Sequence, residues 1–288
     1  MKNPSPLRYP GGKFQLAKLI THLVEKAGAT TYIEPFAGGA GVALDLLTNG
    51  VVDKVVINDS DRAIASIWKA MVFENEAFIR KVNETPVTIE EWSRQRKIYC
   101  KSSKYSLNYA FAAFFLNRAN HSGILLSGPI GGMSQTGSWK IDARFNKDAL
   151  IDRIKAVGDL GGRIKVYNRD VSAFITTYLP RYAQGGFVYF DPPYYRKGRV
   201  LYKNFFTHNR HVALCDEILN NVECPWVVSY DDVPEIRKIY AGIPCRSFSL
   251  NYSLANNGKG REIMYFSGGL RPTDEDIATW DLSQKFDR

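Results

Sequence analysis

The stretch FVYFDPPYY (187–195) places an acid and an aromatic ring directly after an apolar run. The four residues that open it have the aromatic and β-branched composition of a short buried strand. Pro192 and Pro193 donate no backbone N–H and have a fixed φ, so the strand must end before them. The resulting rigid corner displays Asp191 and Tyr194 at the carboxyl end of a strand, where open α/β sheets bind their ligands.

A second candidate ligand site is the glycine turn in EPFAGGAG (34–41). Gly38 and Gly39 allow the backbone to approach a ligand, and the helix that follows adds a positive potential. The next predicted strand ends in Asp59, about 20 residues further on, where doubly wound folds place an acid on a ribose hydroxyl pair. This pattern favours a nucleoside-containing ligand; the alternative is a structural turn with a helix-capping acid. A nicotinamide dinucleotide fits less well, because the GxGxxG pattern is not met.

Predicted strands and helices alternate along most of the chain and must position these two sites. TTYIEPF and DKVVINDSD form the first two strands, and the alternation resumes with RIKVYNRD and the strand that enters the proline corner. It is interrupted between about residues 62 and 145 by helical basic sequence, then aromatic sequence, then a turn-rich segment. We therefore predict an α/β fold with a Rossmann-like, mostly parallel sheet and an inserted, mainly helical module at residues 65–145.

Charge and composition limit the classes of partner. The 288 residues carry a net charge of +9, which favours a polyanionic partner, although a solvated basic surface is the simpler alternative. The four cysteines form no metal-binding spacing with the four histidines, so we expect reduced thiols and no metal. No signal peptide and no apolar run long enough to span a bilayer is evident. We expect a soluble, cytoplasmic protein with no membrane partner.

The motifs RYPGGK (8–13), EPFAGG (34–39) and DPPY (191–194), in this order and with the acid after the second strand, resemble those of S-adenosylmethionine-dependent DNA adenine N6-methyltransferases. The resemblance is to the Dam-like group with the alpha order of motifs, and it covers essentially the whole chain. It departs from the common FxGxG pattern at Ala40, which implies a slightly different loop.

The resemblance implies two domains. Residues 1–64 and 146–288 would form the catalytic domain, which binds S-adenosyl-L-methionine and carries the DPPY corner. Residues 65–145 would form the DNA target-recognition domain. The implied partner is double-stranded DNA, bound by a monomer or weak dimer of a bacterial or phage-encoded protein.

The resemblance also implies a chemistry for the corner. An adenine amine is a poor nucleophile, because its lone pair is delocalised into the ring. The Asp191 carboxylate and the Pro192 carbonyl would each accept one N6–H and favour a more pyramidal nitrogen, while Pro193 keeps the corner rigid. Tyr194 would stack on the extruded base. Transfer would then be an in-line displacement that needs no metal.

Several residues are implied as cofactor contacts. Tyr9 would pack on the cofactor, Lys13 would meet its carboxylate and Asp59 would take the ribose hydroxyls. Asp170 would approach the cofactor adenine, although an acid at this place also suits a helix cap. The complete predicted set is Tyr9, Lys13, Glu34, Phe36, Gly38, Gly39, Asp59, Asp170 and Asp191.

Two basic stretches, at residues 94–105 and 195–211, are suited to hold DNA through its phosphates. We predict that the second is a mobile loop that orders over DNA, with Gly198 as its soft point; a solvated surface is the alternative for both. Polar residues near 117–121 suit base edges or phosphates, or internal hydrogen bonds. The predicted DNA contacts are Arg94, Arg96, Lys97, Asn117, Arg118, Asn120, Arg196, Lys197, Arg199 and Lys203.

Two other functions fit part of this pattern. A cytosine-N4 DNA methyltransferase would use the same corner on another exocyclic amine. A regulatory DNA-binding protein without catalysis would keep the basic surface, but the intact Asp191 and Tyr194 argue against it.

Overall fold

The computed structural model describes residues 3–9, 11–102, 104–196, 206–251, 259–270 and 272–273. Its centre is a seven-stranded sheet in the order β3-β2-β1-β4-β5-β7-β6. The strands are β1 (Thr31–Glu34), β2 (Lys54–Asn58), β3 (Ile164–Tyr167), β4 (Gly186–Phe190), β5 (Trp226–Asp231), β6 (Cys245–Asn251) and β7 (Lys259–Phe266). The first five strands are parallel, and β7 runs antiparallel to both of its neighbours. The predicted α/β fold with a mostly parallel, Rossmann-like sheet is confirmed.

The order of the strands determines where a site can form. The chain moves outward from β1 to β2 and β3, and then returns to place β4 on the other side of β1. The loops after β1 and β4 therefore diverge at the carboxyl edge of the sheet and leave a crevice there. All five residues of β4 are buried, which agrees with its continuous apolar sequence, because helices cover both faces of a parallel sheet.

Helices connect the strands and cover the sheet. They are α1 (Ala17–Lys26), α2 (Gly41–Thr48), α3 (Arg62–Phe73), α4 (Asn75–Glu84), α5 (Ile89–Lys101), α6 (Leu107–Ala119), α7 (Lys147–Asp159), α8 (Val171–Ala173), α9 (His208–Asn221) and α10 (Pro234–Ile239). A π-helical segment (Phe174–Tyr178) and a 3₁₀ turn (Leu179–Tyr182) continue α8. Side-chain caps mark several starts: Asp61 accepts from Ala63 N at α3, and Ser106 accepts from Tyr109 N at α6.

The region predicted as an insertion is helical up to Ala119 and turn-rich from there to residue 145, as its sequence indicates, and it packs on the sheet. Helix α6 is buried on all sides, and its Phe114 ring packs against Phe78 and Phe145. These side chains belong to the same continuous apolar cluster as Phe187 in β4. The boundary predicted between residues 64 and 65 falls inside α3.

Two further observations concern the described residues only. None of their helices combines the length and the apolar character that crossing a bilayer requires. No group of three His, Cys, Asp or Glu side chains among them is arranged to hold a metal ion.

Candidate active site

One cavity lies at the carboxyl edge of the sheet, where β1 and β4 end side by side. Its wall includes the glycine turn after β1 and the proline corner after β4, so the two predicted sites face one space. Eight of the nine predicted cofactor residues line it: Tyr9, Lys13, Glu34, Phe36, Gly38, Gly39, Asp59 and Asp191. The exception is Asp170.

The glycine turn is a tight cradle that a side chain would fill. Gly38 has a φ of 46°, and a Cβ placed on it would lie 2.7 Å from the Tyr9 ring. The Gly38 carbonyl accepts a hydrogen bond of 2.9 Å from Trp68 Nε1, which fixes the turn from behind. Ala40 is also left-handed, with a φ of 43°, which costs a non-glycine residue about 1–2 kcal/mol. Close packing against Tyr9 therefore requires glycine at position 38, and the left-handed backbone conformation favours it.

Asp59 joins the end of β2 to this turn. One carboxylate oxygen accepts from Gly38 N at 2.9 Å and the other from Asp61 N at 2.8 Å. Burial, together with the Asp61 carboxylate, raises the pKa of Asp59 to about 7, and the two backbone donors oppose part of the rise. Additional hydroxyl donors would stabilise the charged form of this buried carboxylate. The environment of Asp59 therefore suits the ribose contact predicted for it.

Asn58, which precedes Asp59, holds the loops of three strands together. Its side-chain NH₂ donates to the carbonyls of Pro35 and Arg169, and its oxygen accepts from Arg169 N. The loops after β1, β2 and β3 are thereby fixed at one edge of the sheet. Sequence reasoning did not single out Asn58.

Asp191 projects from the proline corner into the cavity, and its side chain is 25% exposed. Its Oδ1 accepts a 3.2 Å hydrogen bond from Ser229, whose hydroxyl in turn pairs with Tyr189 Oη at 2.8 Å. Burial raises the pKa of Asp191 to about 6; Lys13 lowers this pKa and Glu262 raises it. The group is therefore mostly ionised at neutral pH and can accept a hydrogen bond or a proton.

Behind Asp191 lies a buried polar cluster that the sequence did not predict in full. Lys13 Nζ lies 3.3 Å from Asp191 Oδ1, 3.2 Å from Glu262 Oε1 and 2.6 Å from Tyr194 Oη. The Tyr194 hydroxyl donates to Glu262 Oε1 at 2.8 Å. Glu262 is fully buried on β7, directly before the apolar run IMYF (263–266). An acid inside a buried strand is the signal that would have identified it, because such a charge requires a partner.

This cluster bears on two expectations. The Lys13 ammonium is directed to the acids at the corner, not held at an open position for a cofactor carboxylate. Tyr194 is only 4% exposed, and its predicted stacking on a base stays a prediction. Pro192 is buried, and Pro193 lines the cavity.

The structure does not bring Asp170 to the cavity. Its carboxylate caps α8 by accepting from Ser172 N at 2.9 Å, and it pairs with Arg210 at 2.8 Å. The side chain is 63% exposed. This is the helix-capping alternative, and it takes the place of the predicted contact with the cofactor adenine.

Two of the predicted DNA contacts do not agree with the structure. Asn117 is buried, and its amide bonds the backbone N–H and carbonyl of Arg8 and the Gly123 carbonyl. Asn120 is also buried; it accepts from Trp92 Nε1 and donates to two carbonyls of the following turn. Both amides are used internally, so neither is available to a base.

The remaining predicted DNA contacts differ in their exposure and in the contacts that their side chains make within the protein. Lys97 is exposed, whereas Arg94 is exposed and paired with Glu91. Arg96 donates to the carbonyls of Leu126 and Ser127. Five more residues complete the predicted set. Arg118 donates to the carbonyls of Arg144 and Pro6, and Arg196 pairs with Glu235 at 3.4 Å. Lys197, Arg199 and Lys203, with the predicted loop and Gly198, lie outside the described residues.

A Rossmann-like sheet whose edge cavity joins a glycine turn to a carboxylate-bearing corner is typical of enzymes with a nucleoside-containing cofactor. Residues 9–254 match the D12 class N6 adenine-specific DNA methyltransferases. Because the match spans most of the chain, the protein belongs to this family, and it is an adenine-specific DNA methyltransferase. The predicted resemblance is confirmed. Membership implies a methyl donor of the S-adenosylmethionine type and DNA as the substrate.

Similar proteins include the Type II methyltransferase M.MjaIII of Methanocaldococcus jannaschii, 24% identical over 206 residues that cover 65% of this chain and 68% of that protein. Among solved structures, the rRNA methyltransferase aviRa from Streptomyces viridochromogenes has a TM-score of 0.41 at 13% identity, with 91% of this chain and 88% of that chain covered. The methyltransferase domain of bacterial CtHen1-CN has a TM-score of 0.38 at 9% identity, with coverage of 88% and 99%.

Proposed function

We propose that the protein transfers a methyl group from S-adenosyl-L-methionine to N6 of an adenine swung out of duplex DNA at a specific site. The observation that carries this proposal is the single cavity shared by the glycine turn and Asp191. A donor held at the turn and an amine held at the corner would meet in that space.

The residues present fit S-adenosyl-L-methionine. The glycine turn at Gly38 supplies close backbone approach, the buried acid Asp59 supplies a hydroxyl acceptor, and the aromatic rings of Tyr9 and Phe36 supply apolar packing. These residues would hold the cofactor, which supplies an electrophilic methyl group when it is bound. Phe36 packs edge-on against Phe206 with 5.9 Å between ring centroids, and both line the cavity, so the aromatic wall is preformed.

Asp191 would act on the adenine amine. Its carboxylate would accept one N6–H, which keeps electron density on nitrogen as the N–CH₃ bond forms and the bond between the methyl group and the donor sulfur breaks. The nitrogen becomes positively charged during transfer, and the nearby negative charge stabilises it. The proton that N6 then loses passes to Asp191, whose pKa of about 6 allows it to release that proton at neutral pH.

Lys13 and Glu262 would position this carboxylate. The ammonium group bridges Asp191 and Glu262 and is itself held by the Tyr194 hydroxyl. Lys13 and Ser229 thus both contact the same oxygen of Asp191, Oδ1. Two fixed donors restrict rotation of the carboxylate, which is what a near-attack geometry requires.

The test is to incubate the full chain with duplex DNA and methyl-labelled S-adenosyl-L-methionine and then digest the DNA to nucleosides. The proposal expects label in N6-methyladenine. Label in N4-methylcytosine would contradict the proposal and would show that the corner acts on the exocyclic amine of cytosine. Gel filtration of the same preparation, with and without duplex DNA, tests the expected monomer or weak dimer.

A further inference from the structure

Four arginines meet where the N-terminal residues 5–8 contact α6, α7 and the turn that precedes α7. They form what we call the arginine cluster: Arg8, Arg118, Arg144 and Arg153. Arg153 donates to the Ser5 carbonyl at 2.8 Å, and Arg118 donates to the Pro6 carbonyl at 3.4 Å. Arg8 donates to the Asn120 carbonyl at 2.8 Å.

Among the described residues, the arginine cluster has no neutralising acid. Within the part of the chain that the structure describes, no ion pair joins any of its members to a carboxylate. Burial and the charges of the other three arginines lower the pKa of Arg118 to about 9. Burial and Arg144 likewise lower the pKa of Arg8. Positive groups that repel one another in this way are stabilised when an anion binds among them.

The arginine cluster also has hydrogen-bond donors to offer. A guanidinium carries five N–H donors. The hydrogen bonds of the described residues use one of them in Arg8 and one in Arg153. Arg144 is exposed, and its guanidinium lies over the Trp139 ring, with 6.0 Å to the centroid. Planar forks of this kind match the oxygens of a phosphate group.

The position of the arginine cluster indicates which phosphate it would meet. Residues 3–9 carry Arg8 and also line the active-site cavity through Asn3, Ser5, Leu7 and Tyr9. An anion bound at the arginine cluster would therefore sit on the flank of that cavity. A duplex that delivers an extruded adenine to Asp191 brings its own backbone to this flank, and its phosphates have to be held while the base leaves the stack.

We propose that the arginine cluster binds a phosphodiester group of the DNA strand beside the active site. This rests on the proposed function, because DNA supplies the anion. The contact is independent of base sequence, and it anchors the N-terminal segment and the duplex at the same time.

The experiment measures binding of fluorescent duplex DNA by anisotropy across a potassium chloride series. The variants are Arg144→Gln and Arg153→Gln, with Arg163→Gln as the matched control. Arg163 also donates to two backbone carbonyls, Asp53 and Val52 at 2.7 Å each, but it lies at the opposite, amino edge of the sheet. Each cluster variant should bind about tenfold more weakly at low salt, and its salt slope should fall by about 0.9. The control should match the wild type.

A second measurement uses inorganic phosphate alone. Phosphate should raise the Tm of the wild type and of Arg163→Gln relative to chloride at equal ionic strength, and should raise that of the cluster variants less. If both cluster variants keep the control's salt slope and phosphate response, the arginines only fasten the N-terminal segment and the inference is wrong. Methylation by the wild type is measured separately, so that a failure of the proposed function can be distinguished from a failure of the phosphate contact.

Discussion

Replacing Glu262 with glutamine tests the buried cluster behind the catalytic corner. The substitution keeps the size of the side chain and an oxygen for the 2.8 Å bond from Tyr194, but it removes the charge that lies 3.2 Å from Lys13 Nζ. A hydrogen bond to a charged group contributes about 1.5–3 kcal/mol. If this contribution positions Lys13 against Asp191 during transfer, kcat/KM falls by about 10- to 100-fold.

The pH profile separates positioning from general damage. The Glu262 charge raises the pKa of Asp191, so its removal should lower that pKa from about 6. The acidic limb of the kcat/KM profile, where Asp191 becomes protonated and inactive, should therefore move to lower pH while the plateau decreases. Methyl transfer from labelled S-adenosyl-L-methionine to duplex DNA is measured across pH 4.5–8.5, conditions we choose to bracket the shift. Glu25→Gln, at an exposed position in α1, is the control and should leave the profile unchanged.

Two results would refute this reasoning. An unchanged plateau would show that Glu262 does not position the corner. A reduced plateau with an unmoved acidic limb would show that the substitution disturbs the fold and that its charge does not act on Asp191.

The remaining predictions concern the glycine turn and the acid before it. Gly38→Ala should weaken cofactor binding at least tenfold, because its Cβ meets the Tyr9 ring at 2.7 Å. The control is Gly50→Ala, at a position with a φ of 71° and no atom within 4 Å of the added Cβ. It should lower the free energy of unfolding by the backbone strain alone, about 1–2 kcal/mol. Isothermal titration and urea unfolding measure the two effects, and equal loss of cofactor affinity would contradict the assigned contact. Burial raises the pKa of Glu34 from 4.5 to about 8, so its folded form holds a proton that the unfolded chain releases. Wild-type stability should therefore fall relative to Glu34→Gln as pH rises from 5 to 8, and a constant difference in urea midpoint would contradict the protonated state.

The sequence predicted those parts of the site that local rules determine. Two prolines must end a strand whatever surrounds them, so Asp191 was placed at the carboxyl end of β4 without any tertiary information. The glycine turn and the acid after β2 follow from the same kind of rule, since both belong to one βαβ unit. Ala40 shows the limit of such local rules. It has a left-handed backbone conformation, which these rules would assign to a glycine.

The sequence could not predict contacts that depend on distant pairing. Glu262 reaches Lys13 across 249 positions, and only the antiparallel addition of β7 beside β5 brings it to the corner. Asn117 and Asn120 have the chemistry of base-reading residues, but α6 is buried on all sides and consumes their amides internally. The residue type of Asp170 suits both a cofactor contact and a helix cap. In the structure it caps α8 and pairs with Arg210.

The most direct test of the central claim is single-turnover methyl transfer by Asp191→Asn, with DNA affinity and cofactor affinity measured on the same preparation. Asparagine keeps the shape of the side chain. However, it cannot take up the proton from N6, and it has no negative charge to stabilise the positive charge that develops there. The account predicts N6-methyladenine formation at least about 1,000-fold slower than in the wild type, with both affinities within about threefold. Turnover within tenfold of the wild type would contradict it.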